Sequence, residues 1–115
     1  MSYELPFKAG TRLIEFGGGT APAIRPNADI RPGLTVDLVV DFIKPLTAIP
    51  DESYDGIFSK FQIEHISWRA LAGFVGEAHR ILAPGGIAVF ITANFLEQCK
   101  QAIAWFEAGR SIQDV

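Results

Sequence analysis

The stretch Leu13–Pro22, LIEFGGGTAP, decides how the rest of the chain is read. An apolar run carrying one acid, Glu15, breaks into three consecutive glycines and is closed by a proline. Thr11 to Phe16 reads as a first strand, apolar enough to lie centrally in a sheet. Bare backbone at its carboxyl end can bend sharply, and a ligand can lie against it with no Cβ in the way. In an open α/β sheet, ligands bind outside the carboxyl ends of the strands.

Working outward, Pro22, Pro26 and Pro32 forbid a long helix after the glycines. Ala28 to Ile30 reads as a short second strand. TVDLVVDF, from Thr35 to Phe42, is β-branched and makes a third. YDGIFS, from Tyr54 to Ser59, is a fourth, led in by the turn-forming PDES. Ser67 is placed to cap a helix whose apolar face is Leu71, Phe74, Val75, Ala78 and Leu82. APGG at Ala83 to Gly86 ends that helix, and Ile87 to Thr92 is a fifth strand. A second helix is predicted over Phe95 to Ala108, burying Cys99, Ala102, Ile103 and Phe106, with Gly109 as its stop. Strands interleaved with helices predict parallel pairing: a Rossmann-like open sheet of about five strands, order 3-2-1-4-5, in one domain over residues 1–115.

Composition narrows the function classes. The chain has 115 residues, 49% of them hydrophobic and 20% charged, with a formal net charge of -3. It reads as globular, and an acidic chain without a basic stripe argues against a nucleic-acid partner. One Cys excludes an internal disulfide. No apolar run is long enough to span a bilayer, so neither a membrane nor a secreted scaffold is expected, and a cytoplasmic protein is. No metal-ligand spacing is visible.

The glycine turn narrows the ligand further. A phosphate-cradling loop ends in Lys followed by Ser or Thr, whereas here Thr20 and Ala21 lead to Pro22. A dinucleotide fingerprint wants glycine where Pro22 stands, with a helix N-terminus facing the pyrophosphate. A ligand without phosphate fits better. Glu15, inside an apolar strand, needs partners: the N–H groups of the turn, or a ligand's ammonium. Asp29 and Asp41 each close an apolar run at a strand's carboxyl end. A carboxylate there suits the vicinal diol of a ribose, and Asp41 with Phe42 offers an acceptor and an aromatic face.

With these segments in order, the chain resembles the class I S-adenosylmethionine-dependent methyltransferases. LIEFGGGTA resembles their glycine-rich first motif, and VDLVVDF, PDESYDGIFSKFQIEHI and EAHRILAPGGIAVFITAN resemble the later ones. The resemblance implies S-adenosylmethionine as cofactor and a small-molecule acceptor. It implies a binding set of Glu15, Phe16, Gly17, Gly18, Gly19, Asp29, Asp41, Phe42 and Ser59. Gly17 and Gly19 would pass under the methionine part, Asp29 would hold the ribose, and Asp41 with Phe42 would flank the adenine. Ser59 and Lys60 would border the methionine end. Relative to the family, the chain stops at Val115, before the antiparallel strands that complete the sheet. That leaves a non-catalytic cofactor-binding or assembly module as the alternative, and an apolar sheet edge for a partner or second copy to cover.

The remaining polar and aromatic residues carry weaker expectations. No catalytic residue is assigned. His65 is weighed as a general base against an architectural role, and Glu64 as a hydrogen-bond anchor. Asp37 is expected to face solvent from a strand. His79 is expected on the surface, and Cys99, Trp68 and Trp105 are expected in packing roles.

Overall fold

The computed structural model describes residues 5–92 and 95–109, apart from the side chains at positions 95, 98, 105 and 106. Its elements are β1 (Leu13–Phe16), β2 (Asn27–Asp29), β3 (Leu38–Val39), β4 (Tyr54–Lys60), α1 (Trp68–Ile81), β5 (Leu82–Ile91) and α2 (Phe95–Glu107). The five strands form one parallel sheet in the order β3-β2-β1-β4-β5. The Rossmann-like topology expected of the sequence is therefore present. No helix separates β1 from β2, as the prolines require.

The core lies on the face of the sheet that α1 covers. Ile14 and Phe16 of β1, Ala28 of β2 and Ile57 of β4 meet Phe74, Ala78 and Ile81 of α1 there. At the centre Phe74 packs edge-on against Phe16, Phe42 and Phe90, with ring centroids 6.1, 6.0 and 5.8 Å away. The helix starts as expected, with the Ser67 side chain accepting the Arg69 N–H.

Leu46 and Ile49, in the loop from β3 to β4, close this core. One arginine ties that loop down. Arg80 donates to the carbonyls of Leu46 and Ile49 and to the carboxylates of Asp51 and Glu77. Glu77 in turn accepts the Leu46 N–H, and the Arg80 guanidinium holds its carboxyl below the usual range. A loop with Pro45 and Pro50 cannot supply its own helix, so α1 satisfies its backbone instead.

Several expectations are corrected. β3 is two residues, not eight, because β2, its only partner among the described strands, pairs with it over two residues. Phe42 leaves the sheet for the core, touching Phe16 at 5.1 Å. Asp37 does not simply face solvent: it pairs with the Arg25 guanidinium and accepts the Asn27 N–H, which hold its carboxyl at about 2. β5 begins directly where α1 ends, and Ala83 to Gly86 form an irregularity inside it, between the Tyr54–Leu82 and Gly56–Ile87 pairs.

On α1, Leu71 and Val75 sit on the flank and are exposed, while Ile81 takes their place in the core. Trp68 is 78% exposed beneath the Arg69 guanidinium rather than packed. On α2, Ile103 is also exposed, and the Trp105 and Phe106 expectations lie outside the described residues. Among the described strands, β5 pairs only with β4, so its outer side is the edge whose covering the sequence leads one to expect. No described helix is long and apolar enough to cross a membrane.

Candidate functional site

The carboxyl ends of β1 and β2 are knitted together through the glycine turn. Gly17 donates its N–H to the Ala28 carbonyl, Gly18 to Asn27 Oδ1 and Gly19 to Asp29 Oδ2, at 2.7, 2.9 and 2.8 Å. All three glycine amides are thus spent on β2. A phosphate would need those N–H groups pointing at it, so the turn is built for a ligand that makes no such demand.

Asn27 is the centre of this knot, and its importance is invisible in the sequence pattern. It is fully buried, and its NH2 donates to the carbonyls of Gly19 and Thr35. Thr35 returns its hydroxyl to the Gly19 carbonyl. A Cβ on Gly18 would stand 2.6 Å from both Asn27 Oδ1 and Glu15 Oε2, which is why that position is bare.

Glu15 completes the turn from below. It is 3% exposed, and its Oε1 accepts the N–H groups of Ala23 and Ile24 at 2.8 and 2.9 Å. Burial pushes its carboxyl up, and those two N–H groups pull it back only in part. Its partners are therefore backbone amides beyond the glycine turn, neither the turn's own N–H groups nor a ligand's ammonium, because the glycine amides are taken by β2.

Beyond the turn lies a cavity of about 470 Å³ whose walls come from the carboxyl ends of four strands. β1 contributes Gly17, β2 contributes Asp29 with Ile30 and Arg31, β3 is followed by Asp41, Phe42 and Ile43, and β4 is followed by Phe61, Gln62, His65 and Ile66. Its size and position are those of a small-molecule site in an α/β sheet. Asp29 uses both oxygens locally, accepting Gly19 N–H and Ile30 N–H. Asp41 is less committed, accepting Ile43 N–H at 3.2 Å with Lys44 at 3.9 Å.

Of the nine predicted residues, Gly17, Asp29, Asp41 and Phe42 line this cavity. Phe42 is 6% exposed, so most of its ring belongs to the core. Gly19 lines a neighbouring cavity of about 700 Å³ that shares Asp29 and Arg31 with the first. Glu15, Phe16, Gly18 and Ser59 do not line it: Phe16 is core, and Ser59 is buried with its hydroxyl between the Phe16 carbonyl and Gln62. Lys60, also read as a border, places its ammonium 5.4 Å from the Phe61 ring.

Phe61, Gln62, Ile30 and Ile43 were not singled out by the sequence, and only their place just past strand ends could have marked them. Glu64 accepts the Thr92 hydroxyl, consistent with an anchor. His65 lies on the cavity wall, exposed, in the 3-10 turn Ile63–His65.

A family model described as "Methyltransferase domain" matches residues 20–90, more than half of the chain. The matched span begins after the glycines, so it rests on β2 through β5 and is independent of the turn. No curated protein and no solved structure matches the chain.

Proposed function

This chain belongs to the class I S-adenosylmethionine-dependent methyltransferases, and from that membership we propose that it transfers a methyl group to a small-molecule acceptor from the four-strand cavity. The observation that carries the reading is the order of the groups along that cavity. Asp41 follows β3, Asp29 ends β2, Gly17 follows β1 and Gln62 follows β4, in the same sequence as the strands stand in the sheet. Three strand spacings make about 14 Å, the reach of an extended nucleoside with an amino-acid arm.

The residues suit the cofactor. Asp41, with acceptor capacity to spare, takes the adenine amino group beside the Phe42 edge and the apolar Ile43 wall. Asp29 keeps lone pairs beyond those given to Gly19 and Ile30, and a carboxylate with about four acceptor sites can take ribose hydroxyls as well. Gly17, with φ 76, brings bare backbone to the amino-acid arm. When bound, the cofactor supplies an already activated methyl group on a sulfonium.

The chain's own work is then alignment and exclusion of water. The apolar side chains of Ile30, Ile43, Phe61 and Ile66 line the walls and displace solvent. His65, on the same wall, is the imidazole placed to take a proton from the acceptor.

The Asp41→Asn variant tests the adenine end. It keeps the side chain's size and its bond to Ile43, but puts a donor where the ligand needs an acceptor. It should weaken S-adenosylhomocysteine binding about tenfold, with the unfolding midpoint unchanged. Calorimetric titration reads the affinity, and an unchanged value would return Asp41 to the role of a turn residue.

A further inference from the structure

β5 is the longest described strand, and its outer edge is bare. Residues in a parallel ladder send their N–H and C=O groups alternately to one side and the other. The Phe61 N–H binds the Ile91 carbonyl, and the register with β4 then turns Ile87, Val89 and Ile91 toward β4. The N–H and C=O groups of Ala88 and Phe90 point outward, where no described strand receives them.

Such an edge is a template for another strand, and proteins blunt it with charge, proline or a bulge. The irregularity of β5 lies at residues 83–86, and residues 87–91 carry neither charge nor proline. Their side chains sort by face. Ala88 and Phe90 lie against the core on the α1 side. Ile87, Val89 and Ile91 alternate to the other face, where Ile87 is 44% exposed and the other two are half-buried.

We propose that β5 is the interface of a homodimer, pairing antiparallel with β5 of a second copy about a two-fold axis at Val89. Outward-facing residues placed opposite each other exchange both of their hydrogen bonds. Ala88 then meets the partner's Phe90, and Phe90 meets the partner's Ala88. This self-complementarity is what singles out a second copy. On the α1 face each small side chain stands beside a large one. On the other face Ile87 stands beside the partner's Ile91 and Val89 beside the partner's Val89, β-branched against β-branched, with no like charges opposed.

Because the paired strands run antiparallel, the two ligand cavities, at the carboxyl ends of the strands, open at opposite ends of the joined sheet. Dimerisation is therefore independent of the function proposed above, and either can fail alone. A single strand pair is small for an interface, so dissociation near about 0.1 mM is expected.

Sedimentation velocity of the full chain from about 10 µM to about 1 mM should show a monomer passing to a dimer. A monomer at every concentration would overturn the proposal. Ala88→Pro removes an outward N–H and spares the ladder to β4, at an edge position where strands take proline. It should weaken the dimer at least about tenfold with the circular dichroism of the monomer unchanged. A dimer left intact by that variant would place the interface elsewhere.

Cysteine coupling in a Cys99→Ser background reads the register without relying on the proline. A non-hydrogen-bonded antiparallel pair sets its Cα atoms about 4.5 Å apart, within disulfide reach. Val89→Cys should therefore couple to itself under mild oxidation, whereas Ile87→Cys, facing the partner's Ile91, should not. Coupling through position 87 alone, or through neither, would contradict the pairing.

Discussion

Replacing Asn27 by Leu should cost about 3–5 kcal/mol of stability, although the two side chains are close in size. The change strips the Gly18 N–H and the Thr35 carbonyl of their partners, and takes one of two from the Gly19 carbonyl. Each buried polar group left unpaired costs about 1–3 kcal/mol. Stability for a domain is about 5–15 kcal/mol, so a single substitution would consume much of it.

Asn27→Asp makes the chemistry explicit. It keeps an acceptor for Gly18 but turns an acceptor toward two carbonyls, and buries a charge. Burial and those carbonyls raise the carboxyl's folded-state pKa above its unfolded value. The protonated form therefore favours folding, and the variant should recover stability as the pH falls through that raised value. Urea unfolding of the three proteins at neutral and mildly acidic pH checks both statements. A Leu variant within 1 kcal/mol of the wild type would show that water serves these groups as well as Asn27 does.

Phe74→Ala should be about as damaging, at about 3–5 kcal/mol, for a different reason. Phe74 is 2% exposed and its ring is shared by Phe16, Phe42 and Phe90, so the cavity opens among three rings, from β1, the loop after β3 and β5. The effect should reach the ligand site as well. Phe42 is held between Phe16 and Phe74, and Asp41 is its neighbour in the chain. A Phe74→Leu control should keep most of the volume and lose under about 1.5 kcal/mol. Equal losses for Ala and Leu would mean that the ring geometry, and not the filled volume, supports this corner of the fold.

The sheet was largely legible because its strands are short apolar runs separated by glycine and proline, which mark boundaries sharply. The run from Thr35 to Phe42 misled because β-branched residues favour strand over its whole length. Pairing needs a neighbour, however, and β2 offers one for only two residues. The same limit freed Asp37 to clamp Arg25 and Phe42 to enter the core.

In the site, residues at strand ends were readable as a group because topology brings strand ends together: hence Gly17, Asp29, Asp41 and Phe42 in one cavity. Glu15 and Ser59 precede the strand ends, and with Phe16, the last residue of β1, they are buried in the protein, where they build the turn and its support. Gln62 was illegible for a local reason. Its direction depends on a left-handed phenylalanine, a conformation that no sequence pattern at Phe61 announces.

The most direct test is calorimetric titration of the chain with S-adenosylhomocysteine, with NAD as the control ligand. The glycine amides are spent on β2, and the cavity offers acids and apolar walls instead of a phosphate cradle. Micromolar binding of S-adenosylhomocysteine with none of NAD is therefore the expected result. Preferential binding of NAD, or binding of neither, would contradict the reading of this cavity as a methyl-donor site.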